Sequence, residues 1–110
     1  MFKVTTNPTF THVVKISVPV DGGHDEQTLK ATFKVLPLDQ LVEDPELDMS
    51  GNQVKSLRQV LVSLADLVDD QGNPVEYNDD LRDRLIGVPY VRIALMQHYI
   101  QAMTKVRLGN

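Results

Sequence analysis

Hydrophobic and polar positions alternate twice near the start of the chain. Over residues 10–20, Phe10, Val14, Ile16, Val18 and Val20 share one parity, while Thr11, Lys15 and Ser17 share the other. A period of two predicts a strand with one buried face. Pro19 has no N–H for a sheet ladder, so the strand ends there or lies at an edge. Over residues 28–36, Leu29, Ala31, Phe33 and Val35 alternate with Lys30, Thr32 and Lys34, which predicts a second strand. The stretch between them, 21–27, is polar and holds Gly22 and Gly23 to make a turn. Two such runs joined in this way predict an antiparallel hairpin with Ile16, Val18, Phe33 and Val35 in one core. His12 shares the inward parity and is expected to be a partly covered core residue.

Beyond the hairpin the period lengthens. Pro37 suits the first turn of a short helix, and Leu38, Leu41 and Val42 give it an apolar stripe. Asp44-Pro45 stops it, and residues 44–53 read as an exposed acidic loop. Residues 54–68 fit two templates. Val54, Leu57, Leu61, Leu64, Ala65 and Val68 make a helical stripe, whereas Val60-Leu61-Val62 and Ser63-Leu64 make a strand. The turn Asp70-Gln71-Gly72-Asn73-Pro74, with an extended Val75-Glu76-Tyr77 after it, favours a strand near 57–64. Asn78 is a good N-cap, followed by Asp79 and Asp80 where the helix dipole favours negative charge. A helix near 79–86 should end at Gly87 in the left-handed conformation. Pro89 then opens a second helix near 89–106. The pattern predicts one α+β domain over residues 1–110: an N-terminal antiparallel sheet with two C-terminal helices packed on it.

The last helix carries two apolar stripes. At ~100° per residue, Val91, Ala94, Leu95, His98, Ala102 and Val106 fall on one face. Ile93, Met96, Ile100 and Met103 recur at i, i+3, i+7 and i+10 on another. A surface helix needs one stripe, so the second must be covered within the monomer or by a second chain. Methionine suits surfaces that accept more than one apolar shape. Ile93, Met96, Ile100 and Met103, flanked by Arg92 and Arg107, are therefore the candidate partner-binding residues, the partner being another protein or a second copy in a homo-oligomer.

Composition narrows the function classes. The chain has 110 residues, 42% hydrophobic and 24% charged, which excludes a disordered or low-complexity protein. It has no cysteine, hence no disulfide, thiol nucleophile or cysteine zinc site. No apolar run approaches the ~20 residues of a membrane span, and Met1-Phe2-Lys3-Val4 does not resemble a secretion signal. The net charge of −4 argues against nucleic acid as a partner. The charge is uneven: residues 39–83 hold twelve of the fifteen acids, whereas residues 84–110 hold Arg84, Arg92, Lys105 and Arg107 and no acid. The basic segment would suit an acidic partner, or the acidic middle of a second copy.

No reaction chemistry stands out. Neither a phosphate-binding loop nor a GxSxG elbow is present. Asp66, Asp69 and Asp70 before Gly72 miss the EF-hand spacing, and an Asp-rich turn accounts for them better. His24, Asp25 and Glu26 are adjacent in one turn and rarely converge on one ion. His98 has no acid within one helical turn to orient it as a base and is expected to be packed and bonded to backbone. The expectation is a protein with no catalytic residues, cofactor or metal.

Taken together, several segments resemble a family of small tailed-phage and prophage proteins, the tail assembly chaperones. They are Pro8-Thr9-Phe10-Thr11-His12, Val18-Pro19-Val20-Asp21-Gly22-Gly23 and Thr32-Phe33-Lys34-Val35-Leu36-Pro37. The most specific stretch runs from Ala65 to Val75 and continues through Leu81, Leu85, Pro89-Tyr90-Val91 and the last helix to Gly109-Asn110. Family members often carry an aromatic just before the Asp-Leu-Val-Asp stretch, where this chain has Leu64. The resemblance implies a strand at 57–64. It implies a non-enzymatic protein that binds the tape measure protein during tail morphogenesis, shields its apolar helices and recruits tail tube protein. Such a protein works in the cytoplasm of the bacterial host and is absent from the mature virion. Many members also exist in a longer, frameshifted form, an arrangement that Gly109-Asn110 suits. The alternative is a structural virion component, such as a head–tail joining or tail-completion protein.

Overall fold

A computed structural model describes the chain over residues 1–105. The hairpin is formed by β1 (Thr9–Val20) and β2 (Gly23–Lys34). Then come a short 3-10 turn (Leu38–Gln40), helix α1 (Met49–Val60) and strand β3 (Leu61–Ala65). Helices α2 (Asp79–Ile86) and α3 (Pro89–Thr104) close the described chain. The fold is α+β: an antiparallel three-stranded sheet in the order β1-β2-β3, with helices against one face. Val106 and Arg107 lie outside the described residues.

The hairpin register puts Phe10 opposite Phe33, His12 opposite Ala31 and Val14 opposite Leu29. These residues share the inner face. Only Asp21 and Gly22 form the turn, and Gly22 takes the left-handed φ of 81° that an L side chain resists. Residues 23–27, expected in the loop, are therefore strand. They carry no apolar alternation because the hairpin tip projects past the helices, where Val20 and residues 23–28 are exposed. Gln27 and Asp25, opposite Ile16 and Val18, mark where burial on β2 stops. Val35 follows the end of β2 and is only half-buried, outside the main cluster, in contrast to its expected place in the core.

Residues 57–60 belong to α1 rather than to a strand, and residues 49–53 are helical rather than loop. Asp48 caps α1 by accepting from the Gly51 N–H at 2.7 Å. Asn52 bonds the backbone of Asp44, Leu47 and Asp48, so the acidic approach to the helix is tied down. The helix passes into β3 with no loop, since Leu61 is both its C-cap and the first strand residue. Leu57, Val60, Leu61 and Leu64 are all buried. Leu61 pairs with Phe33 and Leu64 with Ala31 across a bulge. The extra residue brings both leucines, three apart, to the same face.

Asn78 caps α2 by accepting from the Leu81 N–H at 2.8 Å. Gly87 sits in the right-handed region at φ −67°, not the left-handed position expected. A Cβ there would lie 3.3 Å from the Asp83 carbonyl oxygen and 3.4 Å from that of Arg84, a tight fit in a backbone conformation open to any residue. Extended Val88 and Pro89 then start α3.

Helix α3 lies over β1, with α1 and α2 against it. Phe33, fully buried, meets Phe10 and Tyr99 at ring-centre distances of 5.4 Å each. Leu95 and Ile86 are equally buried from the helical side. Truncation of Phe33 to alanine removes the centre of this layer and should cost about 3–5 kcal/mol in urea denaturation. Val35→Ala should cost less than about 1.5 kcal/mol, given its partial burial. Equal losses from the two would show that the core is centred elsewhere.

Candidate protein-binding surface

Helix α3 positions most of the candidate residues. Val91, Arg92, Leu95 and Tyr99 are its buried side chains. The Tyr99 hydroxyl donates to the Lys34 carbonyl at 3.2 Å, tying the helix to the end of β2. Burial raises the Tyr99 phenol above its ordinary value, against a smaller pull down from the Leu36 backbone N–H.

The expected second stripe divides. Ile93, Ile100 and Met103 stay 44%, 40% and 39% exposed, an apolar line along the outer side of α3. Met96 is half-buried and packs against the core beside Leu41, Leu47 and Met49. A groove of about 580 Å³ runs along the edge where β1 meets α3, lined by Val13 and Lys15 from the strand and by Tyr90, Ile93, Gln97 and Gln101 from the helix. A second groove of about 500 Å³ lies under the hairpin. It has Ile16, Val18 and Leu29 along one side, Leu81 and Leu85 along the other, and Asp66, Asp69 and Asp70 with Arg84 among its polar residues.

Arg92 does not flank the stripe at the surface. It is 8% exposed and donates from Nη1 to the carbonyls of Ile86 at 3.1 Å and Gly87 at 3.4 Å, and from Nε to Gln53 Oε1 at 3.1 Å. Its cation sits where the dipole of α2 ends, satisfying the last carbonyls of the helix, those of Ile86 and Gly87. Arg107 lies outside the described residues.

The Asp-rich segment is a backbone-organised turn. The Asp69 carboxylate accepts from the N–H groups of Gln71 and Asn73, each at 2.9 Å, and Val68 pairs with Pro74. The Asn73 backbone bond leads in holding the Asp69 carboxyl below its usual range. Among the described residues, no group of three or more His, Asp or Glu side chains is gathered to hold a metal ion. No described helix is long and apolar enough to cross a membrane.

Two histidines meet where the sequence reading set them apart. His12 Nδ1 lies 2.9 Å from His98 Nε2 across the seam between β1 and α3. His98 therefore bonds a side chain rather than backbone, and His12 is exposed rather than partly covered. The rings meet edge-on at 5.1 Å between centres, with His12 against Phe10 and His98 stacked over Phe33. Their separate signals were in the sequence: His12 on the inward parity, and His98 on the sheet-facing side of the last helix.

Comparison with known protein families, with characterised proteins and with solved structures returns no match.

The buried guanidinium generates a test. Arg92→Ala leaves two carbonyls at the α2–α3 corner without their donor and should cost about 2–4 kcal/mol in chemical denaturation. Arg92→Lys should recover only part, because one ammonium cannot span Gln53 and both carbonyls. A change of less than about 0.5 kcal/mol for Arg92→Ala would mean that the arginine behaves as an ordinary surface charge.

Proposed function

We propose that this chain is a non-enzymatic assembly chaperone of tailed-phage morphogenesis that binds the tape measure protein. The observation that carries this reading is the apolar line Ile93, Ile100 and Met103. It is left uncovered on a helix whose other side seals the core. Residues at this spacing form the anchors by which one helix receives another. The β1–α3 groove continues this apolar surface through Val13 and Tyr90. The sequence segments that resemble tail assembly chaperones supply the identity of the partner. By the same resemblance, tail tube protein is a second partner, and the site of action is the cytoplasm of the bacterial host, before the virion is complete.

Co-expression of the full chain with a tape measure protein from the same genome tests the reading. The two should co-purify, and Ile93→Asp with Ile100→Asp should weaken recovery by about tenfold or more, since buried apolar anchors carry most of such binding. Both positions are partly exposed, so the double variant should melt close to the unaltered chain. Co-purification unchanged by the double variant would place binding elsewhere. Failure of the unaltered chain to bind, with its presence in purified particles, would favour a head–tail joining or tail-completion protein.

A further inference from the structure

The hydrogen-bond contact between His12 and His98 joins β1 to α3 through residues 86 apart in sequence. We propose that this pair is an acid-sensitive latch, which one shared proton keeps closed and a second proton opens, parting the edge strand from the last helix. The inference is independent of the chaperone reading.

The geometry sets the proton count. At 2.9 Å the two facing ring nitrogens are within hydrogen-bond distance, so one must carry hydrogen and the other must offer a lone pair. A neutral pair satisfies this with one N–H between the rings. A singly protonated pair also satisfies it, because the added proton can reside on one of the two outer nitrogens, His12 Nε2 or His98 Nδ1. A doubly protonated pair cannot: both facing nitrogens then carry hydrogen, and two cations confront each other. Separation of the rings is the relief available.

No acidic side chain packed beside the pair offsets that second charge. On the inner face of β1 the neighbours are Phe10 and Val14; on β2 they are Ala31 and Phe33. On α3, one turn from His98 in either direction stand Ala94, Leu95, Gln101 and Ala102. The nearby titratable groups are Tyr99, whose hydroxyl is already committed to the Lys34 carbonyl, and Lys15, a further cation that lines the same groove as His98. No carboxylate is among these neighbours. His98 accordingly holds its proton less well than the ordinary 6.5, first because it is partly buried and second because His12 faces it. The sign follows: as pH falls below 6.5 the unfolded chain takes up a proton that the closed seam refuses, so acid favours opening. His98 also lines the β1–α3 groove, so parting of the rings widens it beside the Phe10, Phe33 and Tyr99 ring cluster.

Imidazole NMR of the full chain, titrated from pH 8 to pH 4.5 in buffer with a chelator, reads the latch directly. His24, exposed at the hairpin tip, is the internal reference. The pair should take up its two protons in separate steps, as coupled sites do. Ring-to-ring contacts between His12 and His98 should persist through the first protonation and vanish with the second. In His12→Gln, His98 should titrate in one step and the β1–α3 contacts should depend on pH less steeply, leaving only the part due to burial of His98. Titration of both rings in one step with His24 would overturn the proposal. So would ring contacts that survive full protonation in the unaltered chain.

Discussion

A three-stranded sheet this narrow has one face to bury and one to leave in water, and α3 is the element that buries it. Thr11, Lys15, Thr32 and Lys34 keep the outer face polar, with the Thr11 and Thr32 hydroxyls 2.8 Å apart. The inner face ends in the fully buried Ala31 and Phe33, over which Leu95 and Tyr99 close. Removing water from this layer is the dominant favourable term in the fold. The other helices serve it: α1 delivers Leu57 and Val60, while α2 delivers Ile86. Arg92 then joins all three helices, from α3 to Gln53 on α1 and to the end of α2. A charge can be held so deep because helix-end carbonyls, not a carboxylate, receive it.

The hairpin and the last two helices were legible because burial and period agree there. Val14, Ile16, Leu29, Ala31 and Phe33 lie inward as their parity requires. Asn78 and Pro89 sit at the helix starts they signal. The middle of the chain was harder to read for a physical reason. Leu57, Val60, Leu61 and Leu64 keep helical spacing straight through a change from helix to strand, and the bulge in β3 lets that spacing still bury both leucines. Ser50, Gly51 and Asn52 are weak helix formers, yet the Asp48 cap and the Asn52 side chain start α1 among them. Tertiary bonds of this kind leave no periodic trace.

The surface was legible in part. The spacing of Ile93, Ile100 and Met103 marks the line that remains exposed, but spacing alone did not separate them from Met96, which the 41–49 segment covers. Arg92 reads as a rim charge on a helical wheel; its burial depends on where α2 ends, which no wheel contains. The His12–His98 pair is the same kind of case, since it needs β1 and α3 to run side by side.

One helix thus presents two surfaces: its inner side completes the core, and its outer side leaves Ile93, Ile100 and Met103 exposed, where we propose that a partner docks. A titration of methyl-labelled full chain with a soluble tape-measure fragment tests this division most directly. The methyl signals of Ile93, Ile100 and Met103 should shift or broaden as the fragment is added, while those of Val14, Leu29 and Leu64 hold their positions. Perturbation confined to Val62 and the outer face of the sheet, with the α3 methyls unmoved, would contradict the account.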